Sequence, residues 1–299
     1  MTEQQLDVRV DTTAHARDFW VDSGRVRIRG IDWGGNPNGK TAIMLHGVGG
    51  TAMAFNMLAP RLVTALGDRY RFVSIDQRGG GDSDKPSSGY EPEFFGRDVL
   101  AVQQAMDGGI ATLIGHSRGG WLAPYVAGRW PQAVESMVLI DPARMTYDSN
   151  EAMELFYGKV RDGLGPFASP EVAIENAMRN TPDAYWGPER QASLLSCYYA
   201  GFDGSVFGKM PHWVLDELRR VRDDDVVRPL TDEISVPTLV LVSSRSDAHR
   251  QAQKLEYAER IAGSRVVMLD GTHSLQHDCV EEVAAEIAAH LSNGRLVPA

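Results

Sequence analysis

Ile110-Ala111-Thr112-Leu113-Ile114-Gly115-His116-Ser117-Arg118-Gly119-Gly120-Trp121-Leu122 is the stretch that decides how this chain is read. Its first five residues form a short apolar run, as expected of a strand buried on both faces. After the serine, Trp121, Leu122, Tyr125 and Val126 recur at helical spacing. The junction between the two is G-x-S-x-G. A strand-to-helix turn this tight exposes the serine hydroxyl and aims the following backbone N–H groups outward. A Cβ two residues to either side of the serine would collide, hence glycine at 115 and 119. Ser117 is the candidate nucleophile.

Working outward, Thr41–Leu45, Arg71–Ile75, Ser136–Ile140, Thr238–Val242 and Arg265–Leu269 repeat the buried-strand pattern. Segments 53–66, 93–106, 118–129, 248–262 and 278–291 between and after them carry helical period. Such alternation implies right-handed βαβ units and a mostly parallel sheet, so the fold class is α/β with flanking helices. Residues 18–33 read as a hairpin that adds antiparallel strands at one edge. From about Ala143 to Glu233 the alternation stops. Only helix-like stretches appear there, carrying Phe156, Tyr157, Phe167, Trp186, Tyr198, Tyr199, Phe202, Phe207 and Trp213. The expectation is a core of residues 1–142 and 234–299 with a helical cap, 143–233, inserted after the sixth strand. It should cover the carboxyl edge of the sheet, where open α/β sheets bind ligands. Most of these aromatics should form the cap's own core, and two or three should line a pocket.

Composition narrows the function classes. Apolar residues make up 43% and charged residues 23% of 299, enough to bury a core without metals or disulfides. A net charge of -10 argues against a phosphate-binding surface, so no nucleic-acid partner is expected. Cys197 and Cys279 make no disulfide framework and read as reduced, partly buried side chains. No H-x-H or C-x-x-C cluster implies a metal, and no cofactor is expected. The N-terminus is acidic where a signal peptide would be basic, and no stretch approaches the roughly 18 apolar residues of a membrane span. The expectation is a cytoplasmic protein with a small-molecule partner and no membrane partner.

Three further motifs follow the same order along the chain. His46-Gly47-Val48-Gly49-Gly50 ends the first buried strand, and Asp76-Gln77-Arg78-Gly79-Gly80-Gly81-Asp82-Ser83-Asp84-Lys85-Pro86 follows the next. Gly271-Thr272-His273-Ser274 follows the last. Together with the serine elbow they resemble the α/β-hydrolase family, and the resemblance covers nearly the whole chain. It implies that the backbone N–H groups of Val48 and Arg118 form the oxyanion hole, and that His273 is the base. It places the acid after the Thr238–Val242 strand, where Asp247 stands. The loop Ser243-Ser244-Arg245-Ser246-Asp247 lacks the family's usual glycine and runs slightly long. Asp141, after the preceding strand, is the alternative acid, a position some members use. Asp270 lies too close to His273 along the chain. A serine at 117 sets the chain apart from relatives with an aspartate nucleophile and implies an acyl-enzyme.

The remaining histidines compete for the base. His277 begins the final helix and should face outward, while His46 and His116 belong to motifs where a structural role is expected. His15, His212, His249 and His290 read as surface or cap residues. The Arg118 side chain either meets an anionic substrate group or forms an outward salt bridge. The expected activity is hydrolysis of a small or medium apolar ester or lactone. Cleavage of C–C bonds in activated diketones is the alternative, since it resembles esterase chemistry in every motif. Two other classes compete. Gly47-Val48-Gly49-Gly50-Thr51-Ala52, with Asp76 ending the next strand, also fits a dinucleotide-binding fingerprint. A non-catalytic receptor could retain the same fold and residues.

Overall fold

Alternating residues of the central strands are buried on opposite faces of one sheet, which explains their unbroken apolar runs. Ile43 and Leu45, Met137 and Leu139, and Val240 and Val242 join one apolar cluster. Ala42 and Met44, Val138 and Ile140, and Leu239 and Leu241 join the other. With a period of two and helices on both sides, neither face can be polar.

The computed structural model describes residues 16–106, 108–143, 149–220 and 227–292. His15 and the acidic N-terminal segment lie outside these residues. Up to the insertion the chain runs β1 (Arg17–Ser23), β2 (Val26–Gly35), β3 (Lys40–Leu45), α1 (Leu58–Leu66), β4 (Tyr70–Ile75), α2 (Pro92–Ala105), β5 (Ala111–His116), α3 (Arg118–Arg129) and β6 (Val134–Ile140), and the insertion opens with α4 (Asn150–Gly163) and α5 (Pro170–Asn180). The insertion continues through α6 (Pro188–Leu195), β7 (Tyr198–Ala200), β8 (Val206–Gly208), α7 (His212–Arg220) and α8 (Arg228–Thr231). The chain then returns as β9 (Thr238–Ser243), α9 (Ala248–Glu259), β10 (Arg265–Leu269), α10 (Leu275–Asp278) and α11 (Val280–Ser292). The sheet order is β1-β2-β4-β3-β5-β6-β9-β10, antiparallel at β1-β2-β4 and parallel from β4 onward. Helices α1 and α11 cover one face, while α2, α3 and α9 cover the other.

Two expectations are corrected. The segment 53–66 is not one helix: a 3₁₀ turn, Ala52–Phe55, precedes α1, and the Thr51 hydroxyl caps that turn by accepting the Met53 N–H. The insertion is also not purely helical. β7 and β8 pair antiparallel around Gly201-Phe202-Asp203-Gly204-Ser205, and Phe167 bridges to Val206. Three-residue strands are too short to show a period.

The insertion packs onto the carboxyl edge of the sheet. The Asn56 amide donates to the Glu189 carbonyl (2.7 Å), and Thr51 and Ser196 share a hydroxyl hydrogen bond (2.6 Å). Lys209 pairs with Asp82 at 2.9 Å. Phe167 and Tyr198, edge to face, form a small separate core with Ala173 and Val206. Phe156 and Tyr157 pack instead against the main core. Tyr199 and Phe207 line a cavity of about 630 Å³ between the insertion and the Asp82–Lys85 loop. Phe202, at the hairpin tip, is exposed. Among the described residues no helix is long and apolar enough to cross a membrane.

Candidate active site

The site is assembled where β5 and β6 end side by side. Ser117 follows β5 with φ 53° and ψ −117°, and Asp141 follows β6 with φ 42°. These are the non-glycine residues with positive φ among those described. Such conformations cost on the order of 1–3 kcal/mol each and persist only where the surroundings impose them. Here the imposing contacts are backbone ones. The Ser117 N–H donates to the Ile140 carbonyl, the Ala143 N–H to the Ser117 carbonyl, and the Asp141 N–H to the Leu241 carbonyl. A Cβ on Gly119 would overlap the Leu45 carbonyl, and one on Gly115 would overlap Gly119.

Three side chains from three loops form one hydrogen-bonded chain. The Ser117 hydroxyl donates to His273 Nε2 at 2.8 Å, and His273 Nδ1–H donates to Asp141 Oδ2 at 2.5 Å. Asp141 is fully buried, Ser117 is nearly so, and the imidazole is half exposed. Asp141 Oδ1 accepts the Ser243 N–H (2.9 Å), and Oδ2 also accepts from Lys254 Nζ (2.6 Å). Burial works to raise the Asp141 pKa. The hydrogen bond and charge of His273, with the charge of Lys254, outweigh it and hold the carboxyl well below the usual carboxylate range.

Asp247 is elsewhere. Its carboxylate caps α9, accepting the Arg250 N–H at 2.9 Å and pairing with the Arg250 guanidinium at 3.3 Å, and its side chain is 61% exposed. The expected acid is thus a helix cap, and the alternative, Asp141, is the carboxylate that meets His273. Asp270 pairs with Arg245 at the surface.

The loop after β3 is fixed to the elbow through Gln77. His46 Nδ1–H donates to the Gly47 carbonyl (2.7 Å), and its Nε2 accepts the Gln77 N–H (3.0 Å). The Gln77 amide donates to the His46 carbonyl (2.6 Å) and accepts from Arg118 Nη1 (3.1 Å). A Cβ on Gly47 would press on the Ser117 side chain, so the main chain at Gly47 packs closely against the nucleophile elbow. Arg118 opens α3, where an N–H has no intrahelical acceptor. Its side chain fits neither expectation in full. It is buried, with the guanidinium 4.0 Å from the Phe95 ring, and it does not point outward.

The dinucleotide reading loses its acid. Asp76 is fully buried; Oδ1 accepts the Ala52 N–H (2.6 Å), while Oδ2 accepts the Asp82 N–H (2.9 Å) and faces Arg29 (3.4 Å). Its oxygens tie turns together and are not presented to a ribose. Among the described residues no group of three or more His, Cys, Asp or Glu side chains could hold a metal ion.

A family profile described as "Alpha/beta hydrolase family" matches residues 42–286, most of the chain and every element of this site. The chain belongs to the alpha/beta hydrolase family. Among curated relatives, 2-(acetamidomethylene)succinate hydrolase from Mesorhizobium japonicum is 32% identical over 159 residues, 53% of this chain and 54% of the relative. A non-heme chloroperoxidase from Streptomyces lividans is 33% identical over 123 residues, 40% and 43% of the two chains. The matched stretches thus span about half of these relatives or less. Among solved structures, E-2-(acetamidomethylene)succinate hydrolase superposes with a TM-score of 0.76 at 23% identity, over 93% of this chain and 100% of the other. The enol-lactonase from Burkholderia xenovorans gives 0.70 at 20% identity, over 92% and 100%. At these identities the superpositions show the fold.

Two more histidines lie behind His273. His116 Nε2–H donates to the His273 carbonyl (2.9 Å), holding the loop in place. Asp278 holds its other side by accepting the Thr272 N–H (2.7 Å), and Arg190 of the insertion pairs with Asp278 at 2.6 Å. His277 does not face outward as expected. It is buried, and neither ring nitrogen has a hydrogen-bond partner among the described residues. Burial pushes both His116 and His277 down to about 3, and the Arg190 guanidinium adds to the effect at His277. The unfolded chain protonates these rings below about 6.5, so their share of stability is intact above that pH and falls away towards pH 3. Each ring can cost about 1.4 kcal/mol per pH unit in that window. The Asp141 contribution is lost only lower, as pH drops below about 3.9. His277→Phe removes no hydrogen bond and should be at least as stable as wild type at pH 7. Urea midpoints at pH 7 and 4.5 should fall less for the variant. Equal acid losses in both proteins would refute the assignment.

Proposed function

We propose that this protein hydrolyses a carboxylic ester or lactone through an acyl-enzyme on Ser117, with His273 as general base and Asp141 as the orienting acid. The observation that carries the reading is the chain Ser117 Oγ to His273 Nε2 (2.8 Å) and His273 Nδ1 to Asp141 Oδ2 (2.5 Å). A serine hydroxyl becomes nucleophilic only when a base takes its proton as it attacks. His273 Nε2 stands where that proton leaves. Asp141 fixes the tautomer that keeps Nε2 unprotonated and stabilises the imidazolium once formed. The oxygen of the attacked carbonyl gains negative charge, which the Val48 and Arg118 N–H groups would stabilise at about 10²–10³ in rate per donor. The imidazolium then protonates the departing alcohol, and water repeats the sequence to free the acid. The insertion acts as a cap over this edge. The names of the hydrolase and enol-lactonase relatives support hydrolysis and differ in substrate, the chloroperoxidase's name does not, and fold does not supply a substrate.

The test is a turnover screen of p-nitrophenyl acetate and butyrate, simple lactones and activated diketones, with Ser117→Ala as the blank. Ester or lactone turnover well above the blank is expected. Cleavage of the diketones alone would replace this reading with C–C hydrolysis, and no turnover of any class would favour a ligand receptor.

A further inference from the structure

Lys254 is a lysine in an apolar position. On α9 it shares the inward stripe with Tyr257 and Ala258, and Ile261, just past the helix end, extends it; all three are buried. Its own side chain is 9% exposed. A cation is seldom buried so deeply unless it is paired, and a buried pair is weak evidence for stability, because apolar residues often serve as well. Its ammonium reaches Asp141 Oδ2 at 2.6 Å and the Ser246 hydroxyl at 3.0 Å. Asp141 Oδ2 is also the oxygen that accepts from His273. Two donors therefore compete for one carboxylate oxygen, and one of them is an ammonium.

We propose that Lys254 is a positioning residue that sets the pH range of the hydrolase by offsetting the charge that Asp141 presents to His273. The proposal rests on the Ser117–His273–Asp141 reading. A carboxylate beside imidazole favours the protonated ring, and protonated His273 cannot take the proton of Ser117. By placing positive charge on the same oxygen, Lys254 weakens that preference and lets the base work at lower pH. The other groups around the pair come from different elements. β5 contributes His116, whose ring lies 4.9 Å from that of His273 and is held neutral by burial. α10 contributes Asp278, already paired with Arg190 of α6. β9 contributes the uncharged Ser243 N–H. Lys254 is thus the ammonium paired with Asp141.

The test measures the rate at which a neutral fluorophosphonate labels Ser117 between pH 4.5 and 9, in wild type, Lys254→Met and Lys254→Gln. The probe does not ionise, so the acid limb of the profile reports the enzyme's base. Glutamine keeps a donor near Asp141 and guards against misfolding of the methionine variant. In whichever variant folds, the acid limb is expected to move up by about one to two pH units, with the alkaline plateau changed less than the limb. A lower plateau with an unmoved limb would show a purely structural lysine and overturn the proposal alone. Wild type that takes no label at Ser117 would overturn the triad reading and this proposal with it.

Discussion

Ser117→Ala is expected to keep the fold and to lower kcat by about 10⁴–10⁶ on any ester the wild type turns over. The fold should survive because the turn is imposed by backbone contacts. The Ser117 N–H and carbonyl are both hydrogen-bonded, and the glycines at 115 and 119 create the space. Alanine in the same conformation loses only the hydroxyl and its bond to His273. The size of the effect follows from the chemistry, since no other hydroxyl takes the place of the lost nucleophile. Matching circular dichroism and urea midpoints, together with steady-state kinetics, check it. A loss of less than tenfold would remove Ser117 from the mechanism.

The second large effect separates two aspartates. Asp141→Asn should cost about 10⁴ in kcat, because an amide no longer enforces the tautomer in which Nε2 of His273 is free. It should also destabilise the protein by leaving the buried Lys254 ammonium without its carboxylate. Asp247→Asn should change little. Asparagine caps a helix as well as aspartate does, and the Arg250 N–H keeps an acceptor. Its exposed pair with Arg250 is worth little. Parallel kinetics on the two variants decide the matter. Equal, mild losses would mean that neither residue is the acid.

The elements that were legible in sequence are those whose chemistry is local. Ser117 needs two glycines and a strand-to-helix junction within a few residues, and His273 lies in a short loop after a strand. Both stand where the motifs put them, and the parallel sheet follows from apolar runs that the two-sided core requires. The carboxylate that meets His273 was less legible because which one does so depends on which strand end faces His273 across the sheet. The family resemblance favours Asp247, although Asp141 is the aspartate that directly follows a strand end. A competing local signal was present: Asp247 immediately precedes the helical period of α9, the position of an N-cap. Lys254 also left a trace, as a lysine on the stripe of Tyr257, Ala258 and Ile261. His277 was misread because α10 is a separate four-residue turn ahead of α11, so its orientation does not follow the final helix. Gln77 left no signal, since it acts by joining the loop after β3 to Arg118 through contacts distant in sequence.

Intact-mass spectrometry after incubation with a fluorophosphonate, on wild type and on Ser117→Ala, tests the central claim most directly. An activated serine at 117 predicts a single adduct on wild type and none on the variant. An adduct that persists in the variant, or no adduct on either protein, would contradict it.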